Sequence, residues 1–317
     1  MKNNSKITII ITIALMFFLL KIFVLKQNSN IEISEDIIQE EVLYDEKIEE
    51  NLEIDNKIIG NFNQLLSLNA NETELLEYID LKENQINNNT LSILLIKFIY
   101  FQFSNLSIHD QMIQNDNIQN SLLDEYGCNC KNIDLNKLND IQLKNRLSSL
   151  YSRGYLLNFD DGKFHLKINY NFFKKYNNKI NNELSNYLEI KNNTYNPYES
   201  IKIQWEYVSD NIYLTENFLN NYKNSLLYDD IYSIYINNAD YLLYGTDYIN
   251  IFNEKNILNE NLQFQYKKIV LNKSDIFFVN IFSSYYNELI NNKFELNNNI
   301  IDKREDLFNV IKENYKN

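Results

Sequence analysis

Apolar and polar positions divide the chain into three unlike stretches. Ile7 to Leu25 is apolar almost throughout, broken once by Lys21. A bilayer core asks for about 20 such residues in a helix, so this stretch predicts a membrane-spanning segment within residues 1–30. Residues 31–56 carry eleven acids against Lys47 and predict a solvated, partly helical spacer. From residue 57 the apolar positions recur at helical spacing and predict a folded body.

Several elements of that body are legible. Asn71-Glu-Thr-Glu74 has the form of a capping box ahead of Leu75, Leu76 and Ile79. Leu91 to Phe103 is apolar nearly all round and predicts a buried core helix beginning at Thr90, too short to cross a membrane. Residues 104–120 are polar and predict a loop with weak helix. Asp160-Asp161-Gly162 separates two runs of strand formers and predicts a β-hairpin. In its second strand Phe164, Leu166 and Ile168 alternate with Lys163, His165 and Lys167. Asn196-Pro197-Tyr198-Glu199 reads as a helix start, with proline at the first helical position, and Ile201, Trp205, Val208 and Ile212 form its stripe. Further helices are marked by Ile231, Ile234, Tyr235 and Leu242, by Phe278, Ile281, Phe282, Tyr285 and Leu289, and by Leu307, Phe308 and Ile311.

Five glycines and one proline are few for a sandwich or barrel, which needs many turns. The expected fold class is therefore mainly α: an extracytoplasmic bundle of helical hairpins with one small β-hairpin, behind an N-terminal transmembrane helix. The expected division is 1–30 signal anchor, 31–56 acidic linker, 57–150 helical subdomain, and 151–317 hairpin followed by helical hairpins.

The flanks of the apolar segment set its orientation. Lys2 and Lys6 precede it, while residues 27–46 contain no Lys or Arg. Positive charge stays cytoplasmic, which places the N-terminus inside and the body outside. No small-x-small cleavage site follows Leu20, so the segment reads as an uncleaved anchor in the cell membrane. Cleavage would instead release a secreted body.

Composition narrows the classes. At 44% hydrophobic, with 24 tyrosines and 19 phenylalanines, the chain can bury a core. Asparagine makes up about one residue in six, far above ordinary usage, as a base-biased genome would produce. Its Asn-x-Ser/Thr triplets are therefore no sign of glycosylation. Net charge is −13, and nucleic-acid binding wants a basic face. The pairs Lys174-Lys175 and Lys267-Lys268 are isolated and read as solvated.

Two stretches echo each other, Phe218 to Ser225 and Tyr266 to Ser274, each setting an aromatic ahead of a polar turn that ends in serine. Such echoes suit stacked helix hairpins. Glu216-Asn-Phe-Leu-Asn-Asn-Tyr-Lys-Asn-Ser225 resembles the helix-turn of tetratricopeptide-like modules in bacterial envelope proteins, with Lys223 where the turn has proline. Gly154 to Tyr176 and Leu243-Tyr-Gly245-Thr-Asp247 resemble helical domains of uncharacterised membrane-anchored or secreted bacterial proteins. Over residues 150–295 this resemblance implies a location and a helical architecture, and no chemistry.

Candidate chemistry is sparse. Cys128 and Cys130, the two cysteines, are candidate ligands for a soft metal, but structural zinc needs two more ligands. A disulfide between them would close a tight ring. A nucleophilic Cys with His109 or His165 as base lacks any local signature. His165 should point to solvent, and His109 beside Asp110 reads as a surface residue. The Asp160–Gly162 loop puts its glycine in the wrong place for an EF-hand. Trp205 reads as core. No cofactor is implied. These features together describe a membrane-anchored structural or protein-interaction module without catalysis, bound to the membrane through residues 7–25 and to an envelope protein or peptide. The alternative is an envelope enzyme or metal/redox protein using Cys128/Cys130.

Overall fold

In the computed structural model the chain divides after Asn56, and Lys57–Asn317 is one compact unit. The structure describes residues 52–127, 133–160, 162–193, 205–246, 249–271 and 276–316.

The body is mainly helical. A first helix, α1, is described within it over 57–67. It is followed by α2 (Glu72–Lys82), α3 (Asn88–Ile113), α4 (Asp116–Tyr126) and α5 (Ile141–Ser152). Strands β1 (Tyr155–Asp160) and β2 (Lys163–Ile168) come next, then a 3-10 segment at Tyr170–Tyr176 and α6 (Asn182–Asn193). The remainder holds α7 (Trp205–Asn221), α8 (Tyr228–Tyr244), the two-residue strands β3 (Gly245–Thr246) and β4 (Ile249–Asn250), α9 (Glu260–Leu271), α10 (Phe277–Asn291) and α11 (Asn298–Asn314).

Local chemistry explains many of the boundaries. Asn71 accepts the N–H groups of Thr73 and Glu74, and Glu74 returns a bond to the Asn71 N–H, completing the capping box ahead of α2. Asn87, Asn115, Asp140 and Asn297 cap α3, α4, α5 and α11 in the same way. The hairpin pairs Tyr155 with Ile168 and Phe159 with Phe164, and buries Phe164, Leu166 and Ile168 as the alternation requires.

The expected loop over 104–120 is corrected by the structure. Helix α3 continues past Phe103 to Ile113, and α4 follows after a short break. The polar residues of its second half are retained in the helix because they bind neighbouring elements. Asp110 accepts the Leu166 N–H at 2.7 Å, and Gln114 donates to the Phe164 carbonyl at 2.9 Å. At 26 residues α3 is long and apolar enough to cross a membrane, by length and composition. Within the body its residues Leu91, Leu94, Leu95, Phe98 and Ile99 are fully buried.

The C-terminal helix returns to pack on α8. Tyr228 and Tyr232 donate to the carbonyls of Tyr315 and Lys312, and Arg304 donates to that of Leu243. These pairs advance along α8 while retreating along α11, so the two helices are antiparallel. Helices α7 and α8 form another adjacent pair, joined by the turn 222–227. Trp205 is half-buried against the core. The helix start expected at Asn196–Glu199 lies outside the described residues.

Candidate functional site

Where the two halves of the sequence meet, the N-terminal part of α3, the start of α6 and the α7–α8 turn enclose an open groove. Its volume is about 370 Å³. It is lined by Ile93 and Ile96 of α3, Glu183 of α6, and Asn221 to Leu226 at the α7–α8 turn. Ser225 shapes the turn: its hydroxyl accepts the Leu227 N–H at 3.0 Å, at a helix start where Leu227 offers no side-chain cap of its own. Tyr100 donates its hydroxyl to the Leu226 carbonyl, so α3 holds the turn from the far end. Exposed apolar side chains flank the groove beside its polar residues. Leu226 is 63% exposed, Tyr100 42% and Ile93 39%, and the Phe103 ring meets Tyr100 edge-on at 6.4 Å.

Two buried carboxylates tie elements of the body together. Glu72 of α2 lies between α3 and the hairpin. Its carboxylate accepts from Arg153 at 2.7 Å, Asn105 at 3.1 Å and the Tyr155 hydroxyl at 3.2 Å, and meets His109 Nε2 at 2.8 Å. Burial pushes the Glu72 carboxyl up, but the His109 hydrogen bond and the Arg153 charge outweigh it and hold the group below the usual range. Burial beside this carboxylate pushes the Tyr155 hydroxyl far above the ordinary tyrosine range. Gly154 lies between Arg153 and Tyr155 with φ +86°, and a Cβ there would stand 2.9 Å from the Phe172 ring. The close approach and the left-handed backbone together require glycine.

Glu216 of α7 is the second. Helix α10 begins at Ile276 with no side-chain cap of its own. The Glu216 carboxylate supplies one, accepting the N–H groups of Phe277 and Phe278 and the Tyr235 hydroxyl at 3.3 Å. Burial pushes this carboxyl above its ordinary value, against the opposing pull of those N–H donors. Glu216 has neutral donors where Glu72 has a guanidinium, and their titrations shift in opposite directions.

A third carboxylate, Asp230, binds Lys191 at 3.0 Å and the Tyr187 hydroxyl at 2.9 Å, joining α6 to α8. The Lys191 ammonium also lies over the Tyr170 ring at 5.1 Å and the Phe103 ring at 5.6 Å.

The residues singled out in the sequence fare unevenly. Cys128 and Cys130 lie outside the described residues. His109 is not the free surface residue expected; it pairs with buried Glu72, because α3 turns its polar stripe toward α2 and β1. His165 keeps 41% side-chain exposure but also approaches Asp110, at 3.4 Å. The chain's two histidines thus sit at adjacent carboxylate contacts, with no thiol among their described partners. Lys175 and Lys268 are exposed as expected, each with an acidic partner, Asp80 and Glu206. Among the described residues no group of three or more His, Cys, Asp or Glu side chains could hold a metal ion.

Sequence reading missed Glu72, Glu216 and the groove. One usable signal was Arg153: the chain has three arginines among its 30 basic residues, and arginine is the cation suited to buried ion pairs. Comparison with protein-family models, curated proteins and solved structures finds no match.

Proposed function

We propose that the chain is a single-pass membrane protein, anchored through residues 7–25 with its N-terminus in the cytoplasm. Its body, outside the cytoplasm, is a structural and protein-interaction module of stacked, tetratricopeptide-like helix hairpins. The observation that carries this reading is the open groove lined by Ile93 and Ile96, flanked by exposed Leu226, Tyr100 and Phe103. Exposed apolar side chains are ordinary singly, but a cluster at a concave feature marks an interaction site. The packing of consecutive helices α7 with α8, α9 with α10 and α10 with α11 supports the hairpin arrangement. The buried carboxylates Glu72 and Glu216 are each bound to donors from other elements and tie those elements together.

Intact cells carrying the full chain test both halves of the reading. External protease should degrade the body and spare the anchor. Cross-linked membranes should yield a protein captured by the parent chain and lost from Leu226→Asp. A body protected from external protease overturns the topology. A capture indifferent to Leu226→Asp overturns the groove as the contact surface.

A further inference from the structure

We infer that the occupant of the groove is the same groove of a second copy of this chain. The inference rests on reading the groove as a protein-contact surface, and it names the partner.

The groove carries charges of both signs. Glu183 and Lys223 both line the groove, and among the described residues no ion pair joins either of them to another group of the same chain. An acidic segment entering the groove would be drawn by Lys223 and repelled by Glu183; a basic one would meet the reverse. A partner surface that presents one charge of each sign beside an apolar projection satisfies both groups at once. This surface carries those elements itself. Leu226 projects from the turn with 63% of its surface exposed, next to the recess over Ile93 and Ile96. A two-fold contact requires that one patch hold both members of every pairing, because each residue meets its counterpart twice. Leu226 of each copy then fills the recess of the other, and Lys223 of each pairs with Glu183 of the other.

The contact is small, and the net charge of −13 opposes association at long range. Two copies held in one bilayer meet at an effective concentration that a weak contact can exploit. The interaction is therefore to be read in membranes, by a covalent trap.

The experiment places a photoreactive benzoylphenylalanine at position 226 of the full chain and irradiates membranes of expressing cells. The expected product is an adduct at twice the 38.0 kDa of the chain. Lys223→Glu alone and Glu183→Lys alone should each cut its yield about tenfold through like-charge juxtaposition. The double exchange should restore it. Both substitutions sit on exposed or half-exposed positions, and circular dichroism of each variant confirms the fold. An adduct with a different protein overturns self-pairing while leaving the interaction surface in place. Irradiation that gives no adduct at all overturns both. Yield that falls in the single variants and stays low in the double overturns the Lys223–Glu183 pairing.

Discussion

The Arg153 guanidinium donates to the Glu72 carboxylate at 2.7 Å across 81 residues of chain. That bond ties the turn into β1 to the first turn of α2, and His109 and Asn105 of α3 close on the same carboxylate. One carboxylate thereby fixes α2, α3 and the hairpin to each other. Breaking one side of a buried ion pair strands the other charge, at a cost of about 3–5 kcal/mol. Arg153→Met should fall at the low end, since the Arg153 side chain keeps 17% exposure. The double variant Arg153→Met with Glu72→Leu should recover part of that loss. Urea midpoints of the parent, the two single variants and the double complete the cycle; a double variant less stable than both singles contradicts the account.

The two buried glutamates predict opposite pH slopes. The folded-state pKa of Glu72 lies below its unfolded value, so its contribution is present above the unfolded pKa and disappears as pH falls through the folded one. That of Glu216 is raised, so its contribution is fully present below the unfolded pKa and is lost as pH rises through the folded one. Glu72→Gln should therefore remove part of the acid-side loss of stability, and Glu216→Gln part of the loss on going to neutral pH. Each is read from the slope of the urea midpoint against pH, independent of the absolute cost of the substitution.

Gly154→Ala should destabilise by about 1–3 kcal/mol, because alanine at φ +86° is strained and its methyl meets the Phe172 ring. Gly60→Ala is the control. Nothing lies within 4 Å of its Cβ position, inside α1, and alanine is the better helix former by about 1 kcal/mol. Thermal unfolding of both variants should move the melting temperature in opposite directions.

Leu226→Asp should leave stability within about 0.5 kcal/mol of the parent, since the side chain is largely in solvent. Tyr100→Phe removes the donor to the Leu226 carbonyl and should speed amide hydrogen exchange across residues 222–227, with α7 and α8 unaffected. Unchanged exchange in that turn would mean that Tyr100 does not hold it.

Much of the helical pattern was legible because it is written in local signals. Asn71 and Glu74 cap a helix by chemistry confined to four residues. Phe164, Leu166 and Ile168 declare a strand by alternation alone. The second half of α3 was not legible as helix, since its cohesion is tertiary. Gln102, Asn105 and His109 recur at helical spacing, but they form a polar stripe, and polar stripes ordinarily face water. Here they face Glu72, Tyr155 and the Arg153 carbonyl. The groove was illegible for a related reason. Ile93 and Ile96 look alike as core in any window; that Ile96 is buried while Ile93 is left 39% exposed beside the α7–α8 turn depends on tertiary packing. The turn itself was visible at Tyr222–Ser225; its neighbour was not.

The cap that Glu216 places on α10 also bears on how the body opens. A helix whose first N–H groups are satisfied by a residue 61 positions earlier has this N-terminal cap only while that earlier helix is in place. The Phe277 and Phe278 amides lose their acceptor when α10 lifts from α7. Helices α7 and α10 should open together as one cooperative unit in native-state hydrogen exchange, although α8 and α9 lie between them in the chain.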